Sequence, residues 1–349
     1  MQNRSAVLTS LQNIEMQDRP MPEIGPDDVL LKVEYCGVCG SDVKFFEDGC
    51  IGTRMVTYPL VLGHEAAGEV VAVGANVKHL TPGTKAVAEP GVPCGHCEFC
   101  RQGRYNLCPD MVFLSCPPYD GFFSRYISVP ASLVYPLPDG VNTLAGALIE
   151  PLAVGAYSAQ KGEVRAGKTV TILGSGCIGL CALLACRQMG ASRVIVVDLF
   201  QNRLDRAKAL GADEVVNASE CDAVEKILEL TGGEGTDVVL ETAGNVRTAA
   251  QTTAIVRRGG IIVVAGTVIG DVPFSIRAME LKEAELRTIW RYRNIFPYCV
   301  DAIATGGIPW ESLRSIVDGI FEFEDTQKAF TTAMNDKQNI VKCVVHVGD

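Results

Sequence analysis

The stretch from Thr169 to Asp198 constrains the fold more than any other part of the chain. TVTIL (Thr169 to Leu173) reads as a buried strand, Gly174-Ser175-Gly176-Cys177-Ile178-Gly179 follows at once, an apolar helical stretch runs to Met189, and RVIVVD (Arg193 to Asp198) reads as a second strand. Strand, tight turn, helix and strand in this order make a βαβ unit, whose two strands must be parallel. In a GxGxxG at that turn, the first Gly permits the sharp bend, the second lets the backbone approach a pyrophosphate, and the third lets helix and strand pack closely. Phosphate charge then faces the helix N-terminus. Gly174, Gly176, Cys177, Ile178 and Gly179 are therefore the candidate dinucleotide contacts. Asp198 ends the next strand, where a carboxylate can accept hydrogen bonds from an adenosine ribose and would repel a 2'-phosphate, which favours NAD over NADP. Arg203 is placed either to touch the ribose or adenine edge or to sit as a solvated helix arginine.

Further strand-like runs at Asp237 to Glu241 and Ile261 to Ala265 alternate with helical patterns at Arg203 to Leu210, Ala223 to Leu230 and Val246 to Val256. Such alternation predicts an α/β fold with a Rossmann-type, doubly wound parallel sheet. The first 150 residues read differently. Short β-rich runs (Asp28 to Tyr35, Gly68 to Val73, Lys85 to Ala88) are separated by Gly and Pro turns, which predicts a β-rich domain. After about Arg287 the alternation decays, and Ile340 to Val347 reads as a final strand expected to rejoin the N-terminal domain. At 349 residues the chain is long for one core. The expected division is residues 1–155 with 288–349 as one domain, including a cysteine lobe at about 90–110, and 156–287 as the nucleotide-binding domain.

A formal charge of −10 and an acidic pI near 5.0 disfavour a nucleic-acid partner, whose binding rests on a positive field. No apolar run approaches the roughly 18 to 20 residues of a membrane span, and the N-terminal segment has no basic stretch followed by an apolar one. A cytoplasmic protein without membrane partners is expected.

Four of the fourteen cysteines, Cys94, Cys97, Cys100 and Cys108, fall within fifteen residues. Four thiolates on a Gly- and Pro-rich segment suit tetrahedral zinc, with no open position and hence no chemistry. An iron–sulfur cluster is the rival, disfavoured because nothing in the chain suggests electron transfer. A zinc ribbon for nucleic acid is the alternative of another class, and the acidity argues against it. His96 lies inside the cluster but finds the coordination shell already filled.

A second group of ligand types, thiolate, imidazole and carboxylate, lies at Cys36 to Asp42 and at Gly63-His64-Glu65. GVCGSD, LGHEAAG, the four-cysteine lobe, ALIEP (Ala147 to Pro151) and GSGCIG occur in the order found in zinc-containing medium-chain dehydrogenases. RYNLCP (Arg104 to Pro109), PPYDG (Pro117 to Gly121) and RYRNIFP (Arg291 to Pro297) make the chain similar to the sorbitol (polyol) dehydrogenase branch, over nearly its whole length.

The resemblance implies a GroES-like catalytic domain beside the Rossmann domain, with the active site between them. It implies a catalytic zinc on Cys39, His64 and Glu65, with Glu150 reaching the metal directly or through water, since a catalytic zinc keeps one position open. Cys36 is then a packing residue. By the same resemblance Ser41, Glu65 and Glu150 take part in catalysis, and Phe45, Phe113, Glu150, Arg291 and Tyr292 meet the substrate. Zinc would lower the pKa of an alcohol oxygen, and NAD would take the hydride. Where polyol dehydrogenases commonly carry His then Tyr after GSDV, this chain has Lys44 and Phe45, which removes an imidazole relay and a hydroxyl.

The expected function is oxidation of a secondary hydroxyl of a small polyol to the ketose. The alternatives are a sugar-alcohol phosphate, an amino alcohol such as threonine, or a simple diol. From another class, a non-catalytic NAD-sensing or structural protein is the rival. A homotetramer is the family expectation, with a homodimer as the variant. His79 and His346 read as structural, and Cys50, Cys116, Cys177, Cys181, Cys186, Cys221, Cys299 and Cys343 as small buried or semi-buried hydrophobes.

Overall fold

Strand β3 (Asp28–Val38) shows why the first 150 residues form a sheet: Val29, Leu31 and Val33 are fully buried and alternate with half-exposed neighbours, the period of a strand with one face on a core. The computed structural model describes residues 2–348 and divides into two units. One comprises the chain through Glu150, Phe296–Gly306 and the stretch from Leu313 onward; the other comprises Pro151–Ile295 and Gly307–Ser312.

In the first unit, β1 (Gln2–Ser10) and β2 (Asn13–Pro20) form an antiparallel hairpin. After β3 come α1 (Gly40–Asp48), β4 (Glu65–Val73), β5 (Lys85–Ala88), β6 (Tyr126–Pro130) and β7 (Val134–Pro136). β3 pairs antiparallel with β4 along one side, and with β6 along the first half of the other. The core beneath includes Phe46, Phe122, Phe123 and Phe330, all essentially without exposure.

The second unit is built on parallel strands. The chain enters it within α2 (Ile149–Lys161), then runs β8 (Thr169–Leu173), α3 (Cys177–Gln188), β9 (Arg193–Asp198), α4 (Gln201–Ala209) and β10 (Glu214–Asn217). It continues through α5 (Ala223–Leu230), β11 (Thr236–Glu241), α6 (Val246–Ile255), β12 (Val256–Val264) and β13 (Glu285–Thr288). The sheet order is β10-β9-β8-β11-β12-β13 with every pair parallel. The chain winds one way from β8 to β10 and the other from β11 to β13, so the switch point lies between β8 and β11. Every residue of β11 is buried, as expected of a central parallel strand covered on both faces.

The C-terminal part returns to the first unit as α7 (Phe296–Ala304), β14 (Gly319–Glu322), α8 (Thr326–Asn335) and β15 (Cys343–His346). β15 lies antiparallel against the second half of β3, completing the order β7-β5-β4-β3-β15-β14. Among the described residues no helix is long and apolar enough to cross a membrane.

One cysteine departs from expectation. Cys221 is exposed, because it sits in the turn between β10 and the Asp222 cap of α5, whereas Cys181, Cys186, Cys299 and Cys343 are buried and Cys50 and Cys177 half-buried. Burial pushes the Cys186 thiol up to about 12 and that of Cys343 to about 11, so both stay protonated.

Candidate metal and nucleotide sites

The pairing of β3 with β4 brings the mixed ligand set together. Cys39 follows β3 and caps α1, while Glu65 opens β4 opposite Gly37. Position 37 must be glycine: a Cβ there would lie 1.9 Å from the Glu65 Oε2. One ligand atom each from Cys39, His64 and Glu65 lies within 4.8 Å of the others. Thiolate, imidazole and carboxylate with a fourth direction left over is the donor set of a catalytic zinc, so the residues fit that ion. Glu150, buried in the first turn of α2, is not part of the cluster.

Three buried side chains hold these ligands. The Asp42 Oδ1 lies 3.2 Å from the His64 Nδ1, and Asp42 Oδ2 accepts from the Cys39 amide at 3.3 Å. The Ser115 hydroxyl donates to Asp42 Oδ1 at 2.5 Å and accepts from the Gly63 amide at 2.8 Å. Lys342 Nζ donates to both Glu65 oxygens at 2.8 Å and to the Val38 carbonyl at 3.1 Å. Burial opposes the charge on Asp42 and on His64, but each is the other's counter-charge: the His64 pKa rises well above the imidazole range and that of Asp42 falls. Cys36 is fully buried and burial pushes its thiol well up, which suits packing rather than ligation.

The other expected site residues are distributed around this cluster or away from it. The Ser41 hydroxyl lies 3.3 Å from the Cys39 sulfur. The Phe113 ring packs 5.4 Å from that of His64. Phe45 is buried in the core. Lys44 forms an ion pair with Asp48 one turn on, and that hydrogen bond raises its pKa, so it remains an ammonium and no proton acceptor. Arg291 and Tyr292 belong to the second unit. Tyr292 is buried, and the Arg291 guanidinium lies 5.3 Å from the Trp290 ring centre, on a left-handed backbone at φ 56°.

Asp42, Ser115 and Lys342 were not singled out in the sequence. Asp42 could have been, since an acid three residues past a helix cap is a capping pattern. Lys342 also leaves a trace: a lysine inside an apolar strand run is rarely buried unless paired. Ser115 leaves none, because only the folded loop brings it to Asp42.

The four-cysteine lobe is a local structure. The Cys97 and Cys100 sulfurs lie 3.4 Å apart, and those of Cys94 and Cys100 4.0 Å apart. Backbone amides point at sulfur from Cys94 to Cys108, from Cys97 to Cys94 and from Cys100 to Cys97, at 3.3 to 3.5 Å. The backbone hydrogen bond from His96 leads the effects that lower the Cys94 pKa to about 6, whereas burial raises that of Cys100 to about 12 and raises that of Cys108 as well, so the four sulfurs differ in acidity before any metal binds. The His96 ring turns instead to the Cys94 carbonyl at 2.7 Å. The lobe is tied to the sheet through buried Glu89, which accepts from Tyr105 at 2.8 Å and from Tyr135 at 3.0 Å.

At the end of β8 the glycine-rich turn has the features of a phosphate cradle. Gly174 has φ 102°, and a Cβ at Gly179 would lie 1.9 Å from the Gly174 carbonyl oxygen. A Cβ at Gly176 would meet nothing closer than the Arg203 Nη1 at 3.8 Å, so the backbone is open on that side. Cys177 and Ile178 open α3 beside it. Asp198 accepts from the Ser175 amide at 2.6 Å and from the Leu199 and Phe200 amides at 2.8 and 3.1 Å. A carboxylate offers about four lone-pair sites, so capacity for a ribose hydroxyl remains. The Arg203 guanidinium lies 5.4 Å from the Phe200 ring centre.

Comparison with known proteins gives consistent matches. The model of the alcohol dehydrogenase GroES-like domain matches residues 25–139, and that of the zinc-binding dehydrogenase domain matches residues 177–305. An uncharacterized zinc-type alcohol dehydrogenase-like protein of Escherichia coli K12 is 41% identical, with 100% of each chain covered. Sorbitol dehydrogenase of Bacillus subtilis is 38% identical over 98% of this chain and 97% of its own. Among solved structures, an Escherichia coli oxidoreductase/dehydrogenase of unknown specificity superposes with a TM-score of 0.95 at 40% identity, covering 100% of both chains.

Proposed function

Since the chain belongs to the zinc-dependent medium-chain alcohol dehydrogenase family and is an oxidoreductase, we propose that it oxidises a secondary hydroxyl of a small polyol to the ketone, with NAD as acceptor. The observation that carries this reading is the convergence of Cys39, His64 and Glu65 on one point. Similarity to a sorbitol dehydrogenase along nearly the full length supports the polyol.

Cys39, His64 and Glu65 would hold the catalytic zinc, and Cys94, Cys97, Cys100 and Cys108 the structural one. When bound, the catalytic zinc supplies Lewis acidity toward an alcohol oxygen, and NAD supplies the hydride acceptor. The chain's own groups do the rest. Donation from His64 Nδ1 to Asp42 fixes the ring and leaves Nε2 as the nitrogen that would give up its proton to become the ligand atom. Lys342 offsets the charge of Glu65, so that thiolate and carboxylate together do not cancel a divalent cation's charge. Ser41 and buried Glu150 are the groups that would pass the hydroxyl proton outward, a task closed to Lys44 while it is held as an ammonium by Asp48. Gly174, Gly176, Cys177, Ile178 and Gly179 would cradle the pyrophosphate, Asp198 would take a ribose hydroxyl and Arg203 would border it. Phe113, whose ring packs against that of His64, would meet the substrate.

The test is a panel of sorbitol, xylitol, iditol and arabitol beside a sugar-alcohol phosphate, threonine and a butanediol, each with NAD and with NADP, read by absorbance of the reduced cofactor. Turnover should be greatest for an unphosphorylated polyol with NAD. Turnover restricted to the phosphate ester, or its absence throughout despite tight NAD binding, overturns the reading.

A further inference from the structure

The hydrogen-bond chain behind His64 does not stop at Asp42. Ser115 is buried, with 2% of its surface exposed, and its backbone is held at φ 77°, a left-handed conformation that residues other than glycine seldom adopt. Its hydroxyl works in two directions. As donor it makes the 2.5 Å bond to Asp42 Oδ1, the same oxygen that faces His64 Nδ1, in the range of a charge-assisted O–H bond to a carboxylate. As acceptor it takes the amide of Gly63, the residue immediately before His64, at 2.8 Å. Gly63 is itself left-handed at φ 96°, and a Cβ there would come within 2.9 Å of the Phe123 ring and of the Cys36 sulfur, so this part of the backbone cannot relax by substitution.

We propose that Ser115 is a positioning residue for the metal site: one hydroxyl fixes both the carboxylate that orients the His64 ring and the peptide that carries it. The proposal rests on the reading of Cys39, His64 and Glu65 as a zinc site. A hydroxyl serving packing alone would need no second hydrogen bond, and a buried serine kept at positive φ implies that its surroundings over-determine the position. By acting through Asp42, Ser115 extends the carboxylate–histidine pair by one link. Partners of this kind set metal affinity by limiting the orientations a ligand can take.

The experiment measures zinc affinity by chelator competition, together with zinc content per chain, on the full-length wild type and on Ser115→Ala, Ser115→Gly, Asp42→Asn and Ser115→Ala/Asp42→Asn. Wild type should hold two zinc ions. Ser115→Ala should weaken the Cys39 site about tenfold, the lower end for such partners, with the lobe zinc unchanged as an internal standard. Ser115→Gly relieves the left-handed backbone but lacks the hydroxyl, so it should weaken the site equally. In the Asp42→Asn background the serine substitution should have a smaller effect than in wild type, the part carried by the Gly63 hydrogen bond alone. Wild-type affinity in both single serine variants, or full recovery in Ser115→Gly, overturns the proposal and leaves the zinc site standing. If instead wild type holds one zinc and Cys39→Ala removes none, the zinc-site reading itself fails, and the proposal with it.

Discussion

The two thiolate-bearing clusters of the first unit are assembled in opposite ways. The lobe takes all four candidate ligands from Cys94 to Cys108 and orients them with amides from the same loop. The mixed cluster draws Cys39 from the end of β3 and His64 and Glu65 from the start of β4, and its supports come from positions 42, 115 and 342. A closed four-thiolate site needs only a correct loop. A site that must leave a position open for exchange needs its three ligands held by something other than a fourth ligand. The buried carboxylate, hydroxyl and ammonium do that here, and their cost is a set of charges that must all be paired.

This contrast predicts a ranking of effects on turnover. Cys39→Ala should remove one zinc per chain and lower kcat/KM by about 10³-fold or more, equivalent to several kcal/mol of lost Lewis-acid stabilisation; metal analysis and NADH absorbance check both. Lys342→Met leaves Glu65 buried without its counter-charge, and should cost about 10- to 100-fold in activity or metal affinity. The same variant should lower the stability of the metal-free protein by about 3 kcal/mol in urea melts. Cys100→Ala should abolish lobe zinc and expose the lobe to protease while the protein that remains folded keeps turnover within about tenfold, because a closed site carries no chemistry. A lobe variant as inactive as Cys39→Ala would break the comparison.

The smallest effect contrasts two buried carboxylates. Both oxygens of Glu65 are paired, whereas Glu241 at the end of β11 uses Oε1 for the Gly244 amide and the Thr248 hydroxyl and has no hydrogen-bond partner at Oε2 among the described residues. Burial raises its pKa, so the fold favours the protonated form. The stability this gives is full below about pH 4, the unfolded value, and is lost as pH rises through the higher folded value. Glu241→Gln removes that slope. It should match wild type at acid pH and be more stable by about 1 kcal/mol at pH 8, as urea melts at the two values will show.

What could be read from the sequence follows the same division. The βαβ unit and the lobe are local, so spacing alone located β8, β9 and the four cysteines at the positions observed. The short β-rich runs between Gly and Pro turns mark β3, β4 and β5 as well. The hairpin of β1 and β2, the short strands β10 and β13, and helices α7 and α8 were not so marked: β10 and β13 are four residues each, and buried β1 owes its place to Leu60, Val61 and Phe123, distant in sequence. At the mixed cluster the ligands rested on family motifs, while Ser115 and Lys342 reach it only through tertiary packing.

The Glu65–Lys342 pair also sets a schedule. The two residues are 277 positions apart, which at a synthesis rate of about 5–20 residues per second separates their emergence by roughly 14–55 s. Over that interval all four cysteines of the lobe are already present, since none lies beyond Cys108. Glu65 waits on the nascent chain as a carboxylate whose counter-charge does not yet exist. The first unit therefore finishes last, although it is begun first, and its two clusters of candidate ligands are completed at different points of synthesis.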